Sequence, residues 1–303
     1  MKALIISGGG SKGAFAGGVA EYLINDCCND YGMFVGSSTG SLLLPHLALG
    51  KIEKIKQIYT SVSQRDIFNI SPFKIRKTKN GFVTKINHFN TLRTFIKGCL
   101  TFGESENLRK LIKKSITEEE FNEINELHKK VIFTVSNLTK DKVEYIHSDQ
   151  WNYNDFCDWA WASCNFIPFM SILTKNNCQY ADGGFGNFVP ILYAIKNGAS
   201  EIDVIILEEE KVNINHDPIN NAFSLLFRTF EFINQQNSSK DIVLGKLVGL
   251  NREVNINFYY SPTELTDNPL VFNPKQMTKW WKDGYDFAKS KNPVSYCHIP
   301  KAE

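Results

Sequence analysis

The sequence lacks the marks of an oxidised, membrane-spanning or nucleic-acid-coating protein. Its seven cysteines are odd in number, include the adjacent pair Cys27 and Cys28 and nowhere form a CxxC spacing. Neighbours in sequence rarely bridge and one thiol must be left over, so reduced thiols and a cytoplasmic setting are the expectation. No apolar run approaches the ~18 residues that a membrane-spanning helix requires. The glycines begin at Gly8, too early for the three regions of a secretory leader, so neither a signal peptide nor a transmembrane segment is expected. With 34 basic against 32 acidic residues, the formal net charge of +2 provides no global field for nucleic acid, and none is expected as a partner. Internal repeats and low-complexity tracts are also missing.

One further absence is local. Residues 67–103 contain no Asp or Glu, yet hold Lys74, Arg76, Lys77, Lys79, Lys85, Arg93 and Lys97 with six interleaved phenylalanines. Such a stretch is a solvated segment whose rings cap the core, a peripheral contact for an anionic membrane, or a nucleic-acid patch, the last without a fold-level motif to support it.

What is present is a chain of 303 residues, long enough for one large domain with a developed core. Apolar runs at 3–7, 33–35, 131–136, 143–147, 179–181 and 202–207 read as strands. Helical spacing fits 14–25, 107–116, 153–164, 189–197 and 218–234, the last capped by Asp217. A helix should also follow Gly40, with Pro45 removing a hydrogen bond to Ser41 and forcing a kink or an early end. Strands alternating with helices predict an α/β/α sandwich around a largely parallel sheet. A core over 1–210 is expected, with a mainly helical extension over 211–303 packed on it in a single domain; in that extension "NINFYY" reads as an isolated strand.

Three motifs carry chemistry. Gly8, Gly10 and Gly13 match GxGxxG between a strand and a helix. A dinucleotide site would also need an acidic residue ending the second strand, where Val35, Gly36 and Ser37 stand instead. A P-loop would need its lysine after the last glycine, and Lys12 precedes Gly13. The loop either allows close strand–helix packing or offers N–H groups to a negative oxygen. The second motif, "GSSTG" at 36–40, matches GxSxG, which arises by chance in roughly one chain in ten of this length. Here it joins a strand to a helix, so Ser38 would stand on a tight elbow at a helix N-terminus, as a nucleophile requires. The third is Asp182-Gly183-Gly184, ending a short strand. As a base for Ser38 the carboxylate of Asp182 competes with His216 and His298, which follow it in the order of a hydrolase triad, while a simple turn is the plain alternative.

Taken together and in order, Gly8-Gly9-Gly10-Ser11-Lys12-Gly13, Gly36-Ser37-Ser38-Thr39-Gly40 and Asp182-Gly183-Gly184 resemble the patatin-like phospholipase family. The stretches "VIFTVSNLTKDKVEYI", "WASCNFIPFMSI" and "ADGGFGNFVPILYAIKNGASEIDVIIL" extend the likeness over about residues 1–210. The resemblance implies a three-layer sandwich and a lipid acyl hydrolase of the phospholipase A or lysophospholipase type. It also implies Ser38 as nucleophile, Asp182 as base without histidine, and Gly8 to Gly13 as the oxyanion loop, with no metal or cofactor. A phospholipid or other acyl-ester lipid would be the substrate; an acyltransferase or a non-catalytic acyl-lipid binder on the same fold are the alternatives. Departures from the pattern are Lys12 where arginine is frequent, Ser37 where threonine is frequent, and Pro45 behind the elbow.

Overall fold

The computed structural model describes residues 1–78, 81–210, 218–219, 221–266, 268–290 and 294–296. From the N-terminus it gives β1 (Lys2–Ile6), α1 (Gly13–Glu21), β2 (Met33–Gly36), α2 (Thr39–Ala48), α3 (Ile52–Ser61), α4 (Gln64–Ile67), β3 (Phe73–Thr78), β4 (Gly81–Ile86), α5 (His88–Ile96), α6 (Glu106–Ser115) and α7 (Glu118–Glu126). There follow β5 (Lys130–Asn137), β6 (Lys142–His147), α8 (Tyr153–Ser163), β7 (Leu173–Lys175), β8 (Cys178–Asp182), α9 (Ile191–Lys196), β9 (Glu201–Ile206), α10 (Ala222–Asn251), β10 (Asn255–Tyr260), α11 (Pro274–Ser290) and β11 (Val294–Tyr296).

Strands buried along nearly their whole length have two faces to cover, and β1, β2, β5 and β9, which are buried in this way, form the middle of the sheet. Its order is β11-β10-β9-β1-β2-β5-β8-β7, with β6 on a second edge of β5. From β10 to β5 the neighbours run parallel, and β11, β6, β8 and β7 add antiparallel pairings. Side chains alternate between two apolar clusters. Leu4 and Ile6 of β1 join one with Ala16, Leu43, Ile112 and Phe156, from α1, α2, α6 and α8. Ala3 and Ile5 join the other with Ile191, Ala194 and Ile195 of α9. Burying each such leucine or isoleucine is worth about 1.5–3 kcal/mol. The result is the expected sandwich with helices on both faces. β1 lies where the strand order reverses, and at such a point the carboxyl ends of the strands leave a crevice for a ligand.

Several elements differ from the sequence reading. The "NINFYY" strand is not isolated: as β10 it pairs in parallel with β9 along its whole length. The early end at Pro45 does not occur, since α2 runs on to Ala48. The proposed cap Asp217 lies outside the described residues; the side chain of Asn221 accepts from Ser224 N–H and caps α10 instead. That helix then continues to Asn251, well past 234. The polar run 235–240 mimics a terminus but contains no glycine or proline to make one, and Ile242 and Val248 beyond it pack on the sheet. Residues 67–103, for which no elements were expected, form the β3–β4 hairpin and α5.

Candidate active site

Strand β5 aligns the two candidate side chains singled out in the sequence, Ser38 and Asp182. β6 covers one edge of it along residues 132–137. The other edge is shared: β2 ends with Gly36 opposite Phe133, and β8 arrives antiparallel with Asp182 opposite Val135. Two positions along a strand span roughly 7 Å, so the chain leaving β2 and the chain ending β8 meet. Polar side chains of β5 hold both, Thr134 Oγ1 donating to the Gly36 carbonyl (3.1 Å) and Ser136 Oγ to the Asp182 carbonyl (2.8 Å).

After β2 the backbone turns sharply into α2. Ser38 adopts φ 51° and ψ −123°, a conformation that costs a non-glycine residue on the order of 1–3 kcal/mol and persists only where neighbours hold it. Here the end of α8 does so: Ser38 N–H donates to Ser163 Oγ (3.2 Å), and its carbonyl accepts from Cys164 Sγ (2.9 Å). The small flanking residues have a packing reason, because a Cβ on Gly40 would strike the Ile6 carbonyl. Ser38 Oγ donates to Asp182 Oδ2 at 2.6 Å.

Asp182 is 3 % exposed, and its Oδ1 accepts from Gly184 N–H (2.8 Å). Burial pushes its carboxyl up to about 7; the hydrogen bonds from Ser38 and Gly184 favour the charged form and oppose that rise. A carboxylate of ordinary pKa, about 3.9, is a poor base for a hydroxyl. Desolvation removes part of the mismatch.

In the glycine loop, Gly10 has φ +54°, and a Cβ there would meet the Pro269 carbonyl. That carbonyl accepts from Ser11 N–H (2.8 Å), Lys12 N–H turns back to the Gly9 carbonyl (3.1 Å), and the Tyr59 hydroxyl donates to the Gly10 carbonyl (2.7 Å). The N–H groups of Gly9 and Gly10 have no acceptor among the described residues. Gly9, Gly10 and Lys12 line one cavity with Ser38 and Asp182. Gly8, Ser11 and Gly13 support the loop from behind, against Phe188, the interior and Tyr59 respectively. Gly36, Gly40, Gly183 and Gly184 shape the two turns.

The cavity measures about 780 Å³, within the range of small-molecule sites. Leu42, Ile58, Leu108, Ile112 and Phe156 make it apolar, and Phe227 and Phe230 of α10 complete the wall; Lys12, Glu208, Glu209, Glu264 and the ion pair of Arg228 with Glu231 add charge. Burial raises the Glu208 carboxyl while the Lys12 ammonium pulls it down. Among the described residues His46 is the one histidine lining the cavity, with Nε2 on the Ser115 carbonyl (2.9 Å) and its pKa lowered by burial. It stands eight residues beyond Ser38, roughly 12 Å along a helix. His216 and His298 lie outside the described residues. Among those described, no three His, Cys, Asp or Glu side chains are grouped to hold a metal.

Sequence reasoning missed Tyr59, Ser163, Cys164 and Pro269. Each acts on the site across a long stretch of chain through a hydroxyl, a thiol or a backbone carbonyl, and no local pattern marks such groups.

A family model described as patatin-like phospholipase matches residues 4–195. No curated protein matches the chain. Among solved structures the crystal structure of VipD from Legionella pneumophila is similar, with a TM-score of 0.49 and 15 % identity, over 95 % of this chain and 66 % of that one. The chain thus spans about two thirds of the length of that structure.

Proposed function

Since the chain belongs to the patatin-like phospholipase family, we propose that it is a lipid acyl hydrolase working through a Ser38–Asp182 dyad. The observation that carries this reading is the 2.6 Å hydrogen bond from Ser38 Oγ to a buried Asp182, in a cavity also lined by Gly9 and Gly10, whose N–H groups have no acceptor among the described residues. Ser38 Oγ attacks the carbonyl carbon of an acyl ester while its proton passes to Asp182. The carbonyl oxygen, now negative, is held by the N–H groups of Gly9 and Gly10, with the helix dipole of α2 behind Ser38. The ester C–O bond breaks, and Asp182 returns the proton to the departing alcohol. Water then attacks the acyl-Ser38 carbonyl, Asp182 takes its proton, and release of the fatty acid restores the Ser38 hydroxyl.

The apolar walls around Leu108, Ile112 and Phe227 suit a fatty-acyl chain, and the charges of Lys12, Glu208 and Arg228 suit a polar head group. Pre-placed donors matter most for a base this weak: losing one oxyanion donor typically lowers the rate by about 10²–10³. The test is incubation of the pure protein with a mixed lipid extract, products read by mass spectrometry, alongside fluorophosphonate labelling. Free fatty acid and a label on Ser38, both absent from Ser38→Ala, are expected. Acyl transfer to an added alcohol in place of fatty acid would make the protein a transferase, and an unlabelled Ser38 with no product would make it a non-catalytic binder.

A further inference from the structure

Helix α5 is built inside out. Thr94 is fully buried and Asn90 Nδ2 donates inward to the Ser71 carbonyl (2.8 Å), so the polar side of the helix faces the protein. Phe89, Leu92 and Ile96, at helical spacing, face solvent at 72, 58 and 77 % exposure, joined by Phe95 and Leu100. An outward stripe of this size on one short helix marks a contact surface, since isolated exposed side chains need no explanation but clustered ones do.

The charge around the stripe is of one sign. Lys74, Arg76, Lys85, Arg93 and Lys97 are exposed, and none forms an ion pair with a described carboxylate. Lys74 and Lys85 are register partners across the β3–β4 hairpin, where like charges directly opposite destabilise the pair. An anionic surface turns that repulsion into attraction. A second copy of this face would bring cation against cation, which argues against self-association.

The patch is continuous with the cavity. Phe95 meets Phe102 at 5.7 Å between ring centroids, Phe102 meets Phe169 at 6.1 Å, and Phe169 meets Phe227 in the cavity wall at 4.8 Å. The inner face of the hairpin joins the same stack, with Phe73 at 6.0 Å from Phe227. Phe232, also lining the cavity, is 61 % exposed.

We propose that α5 and the outer face of the β3–β4 hairpin dock the protein on an anionic lipid bilayer, the apolar stripe entering the boundary between head groups and acyl chains and the cations contacting the head groups. The docking surface lies outside the cavity and does not depend on the hydrolytic reading of Ser38. Aromatic and aliphatic side chains flanked by lysine and arginine have the composition of interfacial helices.

The test uses the full chain and sedimentation with phosphatidylcholine vesicles with and without phosphatidylserine, at low and high salt. Two triple variants, Phe89→Ser/Leu92→Ser/Ile96→Ser and Lys74→Gln/Arg76→Gln/Lys85→Gln, are compared, with hydrolysis of a soluble short-chain ester as a separate readout. Salt-sensitive binding of the unaltered chain to anionic vesicles is expected, falling about tenfold or more in each variant, with ester turnover unchanged. Absence of binding by the unaltered chain, or equal binding by all three proteins, overturns the proposal. So does a dimer that the serine variant dissociates, or tighter binding to single-stranded RNA than to anionic vesicles. If none of the proteins hydrolyses the soluble ester while the vesicle pattern holds, docking stands and the hydrolase reading falls.

Discussion

Asp182 couples basicity to a cost in stability. Its carboxyl is pushed by burial to about 7 in the folded chain, against about 3.9 in an unfolded one. Between those values the folded state binds more protons, so stability falls as pH rises through that window, and above pH 7 the full cost is on the order of a few kcal/mol. Asp182→Asn keeps the shape and the acceptor for Gly184 while removing the charge. Thermal melts should therefore show the variant more stable than the parent at pH 8, the difference closing towards pH 4, while turnover falls by about 10²–10⁴. Equal melting at pH 8, or near-normal turnover, would remove Asp182 from its proposed role. In the proposed mechanism the same ionisation sets the rate. For a soluble ester, kcat/KM of the parent should climb through an apparent pKa near 7 and level off above it, because only the ionised carboxylate accepts the Ser38 proton. Ser38 and Asp182 were legible in sequence because elbow and turn need glycines at fixed offsets. Ser163 and Cys164 were not, since a hydroxyl and a thiol on a helix carry no local sign of the backbone groups they bind.

At the scale of elements, β1, β2, β5, β6, β8, β9 and β10 and the helices α1, α2, α6, α8 and α9 follow from apolar spacing, most ends shifted by a residue or two, whereas β7, β11, α3, α4 and α7 have no counterpart in the sequence reading and α10 runs well past its expected end. What spacing could not decide is which element meets which. Nothing in the spacing of the glycines in "AGGVAE" or of Trp280 and Trp281 links the two stretches. In the fold they meet: the Trp281 carbonyl lies where a Cβ on Gly18 would stand, its ring covers Gly17, and its Nε1 donates to Glu21 at 2.5 Å. Gly18→Ala should accordingly destabilise the protein by about 1–3 kcal/mol or more, read from urea midpoints, although alanine is the better helix former. Helix α5 makes the same point in reverse. Its apolar stripe is visible at 89, 92 and 96, and a spacing rule turns such a stripe inward; packing turned it out, because Thr94 and Asn90 already bond to the protein.

Across the whole molecule, the segment after 210 completes what precedes it. β10 covers the edge of β9, α11 covers α1, and the Pro269 carbonyl fixes the glycine loop through Ser11. A chain ended at residue 210 would uncover β9, where Ile202, Val204 and Ile206 are fully buried, and leave an open parallel edge. Such a truncation should be insoluble or lack a cooperative melt, and a soluble, cooperatively folding 1–210 fragment would show the core to be self-sufficient. By itself the sequence determined the alternation of strand and helix, the two glycine-flanked turns and which serine and aspartate stand on them. These are local, set by side-chain period and by backbone angles that few residues tolerate. Only the tertiary structure decided that Ser38 and Asp182 meet on one edge of β5, that burial raises the carboxyl, and that α5 turns its apolar side to solvent. Each of these depends on contacts between residues far apart in the chain, whose closing no single stretch of sequence specifies.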